Sequence, residues 1–230
     1  MRYTGPMDLA DLHAAARAAG LDPRGAFHPD DSDALPGAPG TVLLLGFAGG
    51  NSKAWAAFAA APERADGADH ALDRWTRRVG DALAAALGVG IVYPFDGPPW
   101  WPFQRWAIRA GGAHPSPMGP LIHPDLGLWH AYRAALLVPA RLALPPRDDR
   151  PSPCATCADT PCLTTCPVGA LSGDGYDVPA CAAHLRGPDG PACLEAGCLA
   201  RAACPVAAAH RYGADQRRFH MEAFLRSHGG

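Results

Sequence analysis

Along the first half of the chain, apolar runs of strand length alternate with segments whose apolar residues recur at helical spacing. Residues Asp8 to Ala19 read as a short amphipathic helix closed by Gly20. Thr41 to Phe47 is continuously apolar, as a buried strand would be, and ends at Gly49-Gly50. From Ala71 to Leu87, the residues Leu72, Trp75, Val79, Leu83 and Leu87 fall on one helical face, and Gly88 stops the element. Gly90 to Tyr93 predicts a second buried strand. The stretch PFDGPPWWP predicts a rigid loop, because its prolines are excluded from helix interiors and central strands. Phe103 to Ala110 predicts a short helix, and residues 120–139 two strand-like pieces around the turn His123-Pro124-Asp125. Interleaved strands and helices predict an α+β layer domain over residues 1–148. The Pro- and charge-rich connector LALPPRDDRPSP then marks a boundary. Residues 149–230 read as short helical turns tied together by cysteines, ending in an amphipathic helix near Ala214 to Arg226.

Composition narrows the function classes. A chain of 230 residues with 48% hydrophobic content can bury the cores of two compact units. Its net charge of −2 gives no electrostatic footprint for nucleic acid, so no nucleic-acid partner is expected. No apolar run approaches the roughly 18 residues of a membrane span, and the N-terminal sequence lacks the layout of a secretory signal. A reducing cytoplasm is the expected compartment. Gly49-Gly50 lacks the G-x-G-x-x-G spacing of a dinucleotide fingerprint, and neither a P-loop nor a nucleophile elbow can be read.

The cysteines carry the chemistry. Cys154, Cys157, Cys162 and Cys166-Pro167 read C-x2-C-x4-C-x3-C-P, close to the bacterial iron–sulfur run C-x2-C-x2-C-x3-C-P. A second set, Cys181, Cys193, Cys198 and Cys204-Pro205, also closes on Cys-Pro, giving eight thiols for two [4Fe–4S] clusters. In two-cluster ferredoxins the Cys before Pro ligates the other cluster. Applied here, that rule assigns Cys154, Cys157, Cys162 and Cys204 to one cluster, and Cys166, Cys181, Cys193 and Cys198 to the other. The wide gaps in the second set leave its pairing open. Two structural zinc sites would also use eight thiolates, although zinc sites usually separate two C-x2-4-C pairs by a longer interval. A disulfide framework suits shorter chains in oxidising compartments. A metal-tied piece of about 80 residues cannot bury enough surface to be stable alone, so its apo form is expected to be unfolded.

The segment SPMGPLIHPDLGLWHAYRAALLVP, with His123, Pro124, Gly127, Trp129 and the following Arg133, resembles an element shared by epoxyqueuosine reductase and the CblC-type cobalamin-processing chaperone. Upstream, GADHALDRW resembles a G-x-D-Y-H element of the reductase, without its Tyr. Phe95-Asp96-Gly97-Pro98-Pro99 resembles the V-D-S-x-P loop that supplies the reductase's proton-donating aspartate. The first cysteine run, then YDVPACAAHL, then the Cys-Pro ending follow the order of the reductase's two-cluster domain. The resemblance covers roughly residues 40 to 210. It implies a nitroreductase-like α+β domain able to hold a corrinoid, joined to a ferredoxin-like domain carrying two [4Fe–4S] clusters. The helical-repeat tail with which the reductase holds tRNA does not follow Cys204, so action on tRNA is not expected.

The resulting expectation is an electron-transfer protein serving a redox partner protein or a small-molecule acceptor held by its own N-terminal domain. A cobalamin-dependent reductase and a zinc-stabilised interaction module are the alternatives. Asp96, in a Pro-walled loop beside Trp100 and Trp101, is the candidate acid; the competing reading is an Asp that starts a Gly-Pro turn. Asp69, His70, His123 and Trp129 are the candidate cofactor contacts, with Asp69 also placed to cap the long helix. Trp100, Trp101, Phe103 and Trp106 would either wall a macrocycle or fill a core.

Overall fold

The structure, a computed structural model, describes residues 7–173 and 175–228. It divides into two compact units. The first takes in the chain through Ala48, Ser52–Gly112 and His130–Asp149; the second takes in Gly49–Asn51, Ala113–Trp129 and the chain from Arg150 onward. Residues 113–129, read from the sequence as part of the first domain, fold with the cysteine-rich unit.

In the first unit, α1 (Leu9–Ala18) starts from a reciprocal cap in which Asp8 and Asp11 each accept the other's backbone N–H. Strand β1 (Asp22–Phe27) pairs antiparallel with β2 (Thr41–Ala48). Helices α2 (Lys53–Ala59) and α3 (Pro62–Ala65) lead to α4 (Ala71–Leu87), which ends at Gly88 with φ of 68°. That left-handed cap is cheap for glycine and strained for other residues. Strand β3 (Gly90–Val92), α5 (Phe103–Ala110) and β4 (His130–Val138) complete the unit. The sheet order is β1-β2-β4-β3, antiparallel throughout. Central β2 is buried from Thr41 to Phe47, which explains why its sequence is apolar without alternation.

Backbones pack tightly where the sheet bends. A Cβ added to Gly46 would lie 1.8 Å from the carbonyl oxygen of Ala131, so only glycine fits beside β4 there. The register shifts at the same place: Leu45 pairs with Ala134 and Gly46 with Tyr132. Arg133 is therefore the extra residue of a β-bulge. Its guanidinium pairs with Asp73, lies 3.4 Å from the Thr76 hydroxyl and sits 5.3 Å from the Phe95 ring centre. The bulge thus ties β4 to α4 and to the loop that carries Asp96.

Two sequence expectations change. The strand-like pieces over residues 120–139 become one strand, β4, preceded by a loop with only the isolated bridges His114–Ile122 and His123–Gly127. Turn residues and prolines there interrupt any longer ladder. Asp69 does not cap α4: His70 holds the cap position in a left-handed conformation, and the Asp69 carbonyl accepts from Arg74.

The second unit contains α6 (Pro161–Thr164), β5 (Leu171–Ser172), β6 (Gly175–Tyr176), α7 (Val178–Arg186), α8 (Gly190–Ala196), α9 (Leu199–Ala203) and α10 (Ala214–His228). Strands β5 and β6 form a two-stranded antiparallel ribbon. One apolar cluster of this unit joins Met118, Ile122, Leu128, Leu171 and Ala200, with Cys204 among them and Cys154, Cys162, Cys166 and Cys198 packed against it. Arg201 donates to the Leu128 carbonyl and lies over the rings of Trp129 and Tyr212, at 4.6 and 4.9 Å. No helix among the described residues is long and apolar enough to cross a membrane.

Candidate metal centre

All eight cysteines lie in the second unit, and none is in a disulfide. Short elements distribute them. Helix α6 holds Cys162 in its only turn and delivers Cys166 just beyond it. Helix α9 has Cys198 at its N-cap and Cys204 at its C-cap. Pro167 and Pro205 follow the last cysteine of each segment and prevent the helix from continuing. Cys181 stands on α7 and Cys193 on α8.

This arrangement sorts the thiols into two groups. Cys154, Cys157, Cys162 and Cys204 line one small pocket with Pro117, Ile122, Pro161 and Val206. Cys154 and Cys162 each feel the charge of Cys157 and Cys204. In the other group, Cys193 feels Cys198, Cys181 and Cys166, and Cys181 feels Cys166. Helices α6 and α9 therefore each supply one thiol to either group.

Sulfur spacing constrains what such groups can hold. Four thiolates on one zinc ion, each about 2.3 Å from the metal, stand about 3.8 Å apart. Here no three of the cysteine sulfurs lie within 4.8 Å of one another.

Burial pushes the thiols of Cys154, Cys162, Cys181, Cys193 and Cys198 up from their ordinary value, because the thiolate is poorly solvated there. Hydrogen-bond donors oppose this. The Ala170 N–H reaches Cys166 Sγ at 3.3 Å, the Leu199 N–H points at Cys193, and the N–H groups of Ala200 and Arg201 point at Cys198. Ser152 donates to Cys154. Tyr176 donates to Cys181; burial, followed by that hydrogen bond, pushes the Tyr176 hydroxyl up. His184 Nε2 lies 3.6 Å from Cys193 Sγ. Ser152, Tyr176 and His184 escaped the sequence reading. The available signals were Ser152 two residues before Cys154 and His184 one turn after Cys181 on the same helix.

The other candidates are scattered. Asp96 lies in the loop before α5, about one-third exposed, with its Oδ1 accepting from Arg77. Serving as a proton donor would require that pair to part. Asp69 is exposed, and His70 is 75% exposed with Nδ1 3.9 Å from Asp73. Trp100 is exposed, Trp101 packs 5.9 Å from Trp106, and Phe103 and Trp106 belong to the core. In the second unit, His123 Nδ1 accepts from the Asp125 N–H at 3.1 Å. Trp129 is buried with Arg201 over its ring and Tyr212 edge-on at 5.4 Å, which leaves it no free face for a flat macrocycle.

No protein-family model and no curated protein sequence matches the chain. Solved structures do. A selenomethionine-labelled epoxyqueuosine reductase aligns over 91% of this chain and 68% of its own, with 14% identity and a TM-score of 0.52. The epoxyqueuosine reductase of Streptococcus thermophilus aligns over 90% and 68%, with 12% identity and a TM-score of 0.49. An epoxyqueuosine reductase solved with an epoxyqueuosine-modified tRNA-Tyr stem loop aligns over 89% and 66%, with 15% identity and a TM-score of 0.47. The fold argument rests on the first of these. The chain is a mixed α/β protein with an epoxyqueuosine reductase-like fold, spanning about two thirds of the length of those enzymes.

Proposed function

We propose that this chain is an iron–sulfur oxidoreductase of the cytoplasm. In this reading Cys154, Cys157, Cys162 and Cys204 hold one [4Fe–4S] cluster, and Cys166, Cys181, Cys193 and Cys198 hold a second in a ferredoxin-like module. The observation that carries it is the sulfur arrangement: eight thiols from separate segments sort into two groups of four, one lining a common pocket and the other joined around Cys193. Two segments that each serve both groups match the exchanged fourth ligand of two-cluster ferredoxins. The reductase-like fold supports a catalytic use for the electrons.

When bound, the clusters supply one-electron storage. This chain's residues provide the thiolate ligands, the N–H donors that offset negative charge at sulfur, and the apolar packing around Cys204. The first unit holds the acceptor, a small molecule or a group on a partner, and Asp96 is the acid once released from Arg77. Cobalamin is the acceptor implied by the sequence resemblance. Of its four named contacts Trp129 is closed off by packing, so no step is assigned to it. The stem loop solved with one reductase makes RNA a partner class to test, against the contrary expectation drawn from the sequence.

Anaerobic reductive titration tests the proposal. The holoprotein is expected to take up two electrons per chain, one for each cluster. With a probe acceptor whose reduction takes up a proton, Asp96→Ala is expected to keep that capacity while turnover falls about 100-fold or more. A protein that takes up no electrons contradicts the electron-transfer reading; unchanged turnover in Asp96→Ala contradicts the acid assignment.

A further inference from the structure

The surroundings of the two cysteine groups are unequal, and the inequality has a direction. Near the second group, two side chains from different elements approach sulfur: Tyr176 at the end of β6 hydrogen-bonds Cys181, and His184 Nε2 on α7 lies 3.6 Å from Cys193 Sγ. The Arg201 guanidinium adds a positive charge near Cys198. Near the first group, the side-chain donor found among the described residues is the Ser152 hydroxyl, on Cys154. Hydrogen bonds to sulfur and nearby positive charge both favour the reduced, more negative state of a cluster and so raise its potential.

We propose that Tyr176 and His184 are positioning residues for electrons: they hold the cluster of Cys166, Cys181, Cys193 and Cys198 at a higher potential than the cluster of Cys154, Cys157, Cys162 and Cys204. This rests on the two-cluster reading above. With clusters bound, these residues would bias an electron from an external low-potential one-electron donor toward the second site, with no bond made or broken. His184 acts in its Nε2–H tautomer, and Tyr176 is kept in place by stacking on Phe224 at 6.0 Å between ring centres.

An EPR-monitored redox titration of full-length, anaerobically reconstituted protein tests this, with iron measured first on every sample. Wild type is expected to show two midpoint potentials, and Cys157→Ala/Cys204→Ala, which removes the first cluster, to retain the higher one. Tyr176→Phe and His184→Leu are each expected to shift the electron equilibrium between the clusters about tenfold toward the first, a fall of about 59 mV in the higher potential alone. His184→Gln keeps an N–H donor and is expected to recover most of the wild-type value. Iron-loaded variants with both potentials unmoved, or with only the lower one moved, overturn the inference and leave the two-cluster reading standing. Iron-free wild type overturns both.

Discussion

Replacing Cys157 and Cys204 together with alanine is expected to lower the iron content from about eight to about four per chain. These residues lie far apart in sequence yet line one pocket. If they serve one cluster, the second replacement removes nothing beyond the first site, and the other cluster survives. Cys166→Ala/Cys204→Ala takes one ligand from each group and is expected to impair both sites. The alternative in which Cys154, Cys157, Cys162 and Cys166 form a single site gives the same result for that variant and differs on the other pairs. Under it, the Cys157/Cys204 pair would damage both clusters, and a Cys157/Cys166 pair would spare one. Iron analysis of the three double variants, with visible absorption as a check on cluster integrity, separates the two assignments. Removing two ligands from one site also avoids a three-iron remnant that a single substitution could leave.

Stripping iron with a chelator under reducing conditions is expected to unfold the second unit while leaving the first folded. One apolar cluster of the second unit contains Cys204 and has Cys154, Cys162, Cys166 and Cys198 packed against it, so part of the packing runs through the cysteines themselves. Ligand binding free energy in such a module is folding free energy. Uncompensated thiols would also remain in an environment that disfavours their charged form. The first unit depends on no cysteine: its core is β2 and β4 packed with Trp75, Phe58 and Trp106. Hydrogen exchange reads this directly. Amides of α7, α8 and α10 are expected to lose protection by about 1,000-fold or more, equivalent to about 4 kcal/mol, while β2 and β4 retain theirs. Equal protection of α7, α8 and α10 with and without iron would show that the metal does not hold this unit together.

The elements legible in the sequence are those in which one local signal decided the outcome. Helix α4 was read with its observed limits because its helical periodicity is strong and Gly88 supplies the left-handed cap. Strand β2 was read one residue short because continuous apolarity suits a central strand. Strand β1 was missed: DPRGAF contains Pro and Gly and shows no alternation. Its place at the sheet edge tolerates Pro23, and its register shifts between Pro23 and Ala26. Helix α2, seven residues long and starting three residues after the Gly49-Gly50 break, was too short to show a period. Assignment of residues 113–129 to the second unit was also hidden. It depends on Met118, Ile122 and Leu128 packing against Leu171 and Ala200, contacts that no local pattern encodes.

The candidate site divides in the same way. Cysteine spacing pointed to the eight thiols proposed as ligands, and the Cys-Pro endings to the proposed exchange between groups. Tyr176, His184 and Arg201 became visible only when folding brought β6, α7 and α9 beside the sulfurs. For Trp129 the sequence motif was uninformative about exposure. Its indole proved to be enclosed by Arg201 and Tyr212.

Quantifying iron, acid-labile sulfide and zinc in oxygen-free, reconstituted wild-type protein is the most direct test of the assignment of these thiols. Two cubane clusters require about eight iron and eight sulfide per chain in a brown protein. A colourless protein with about two zinc and no sulfide would contradict it.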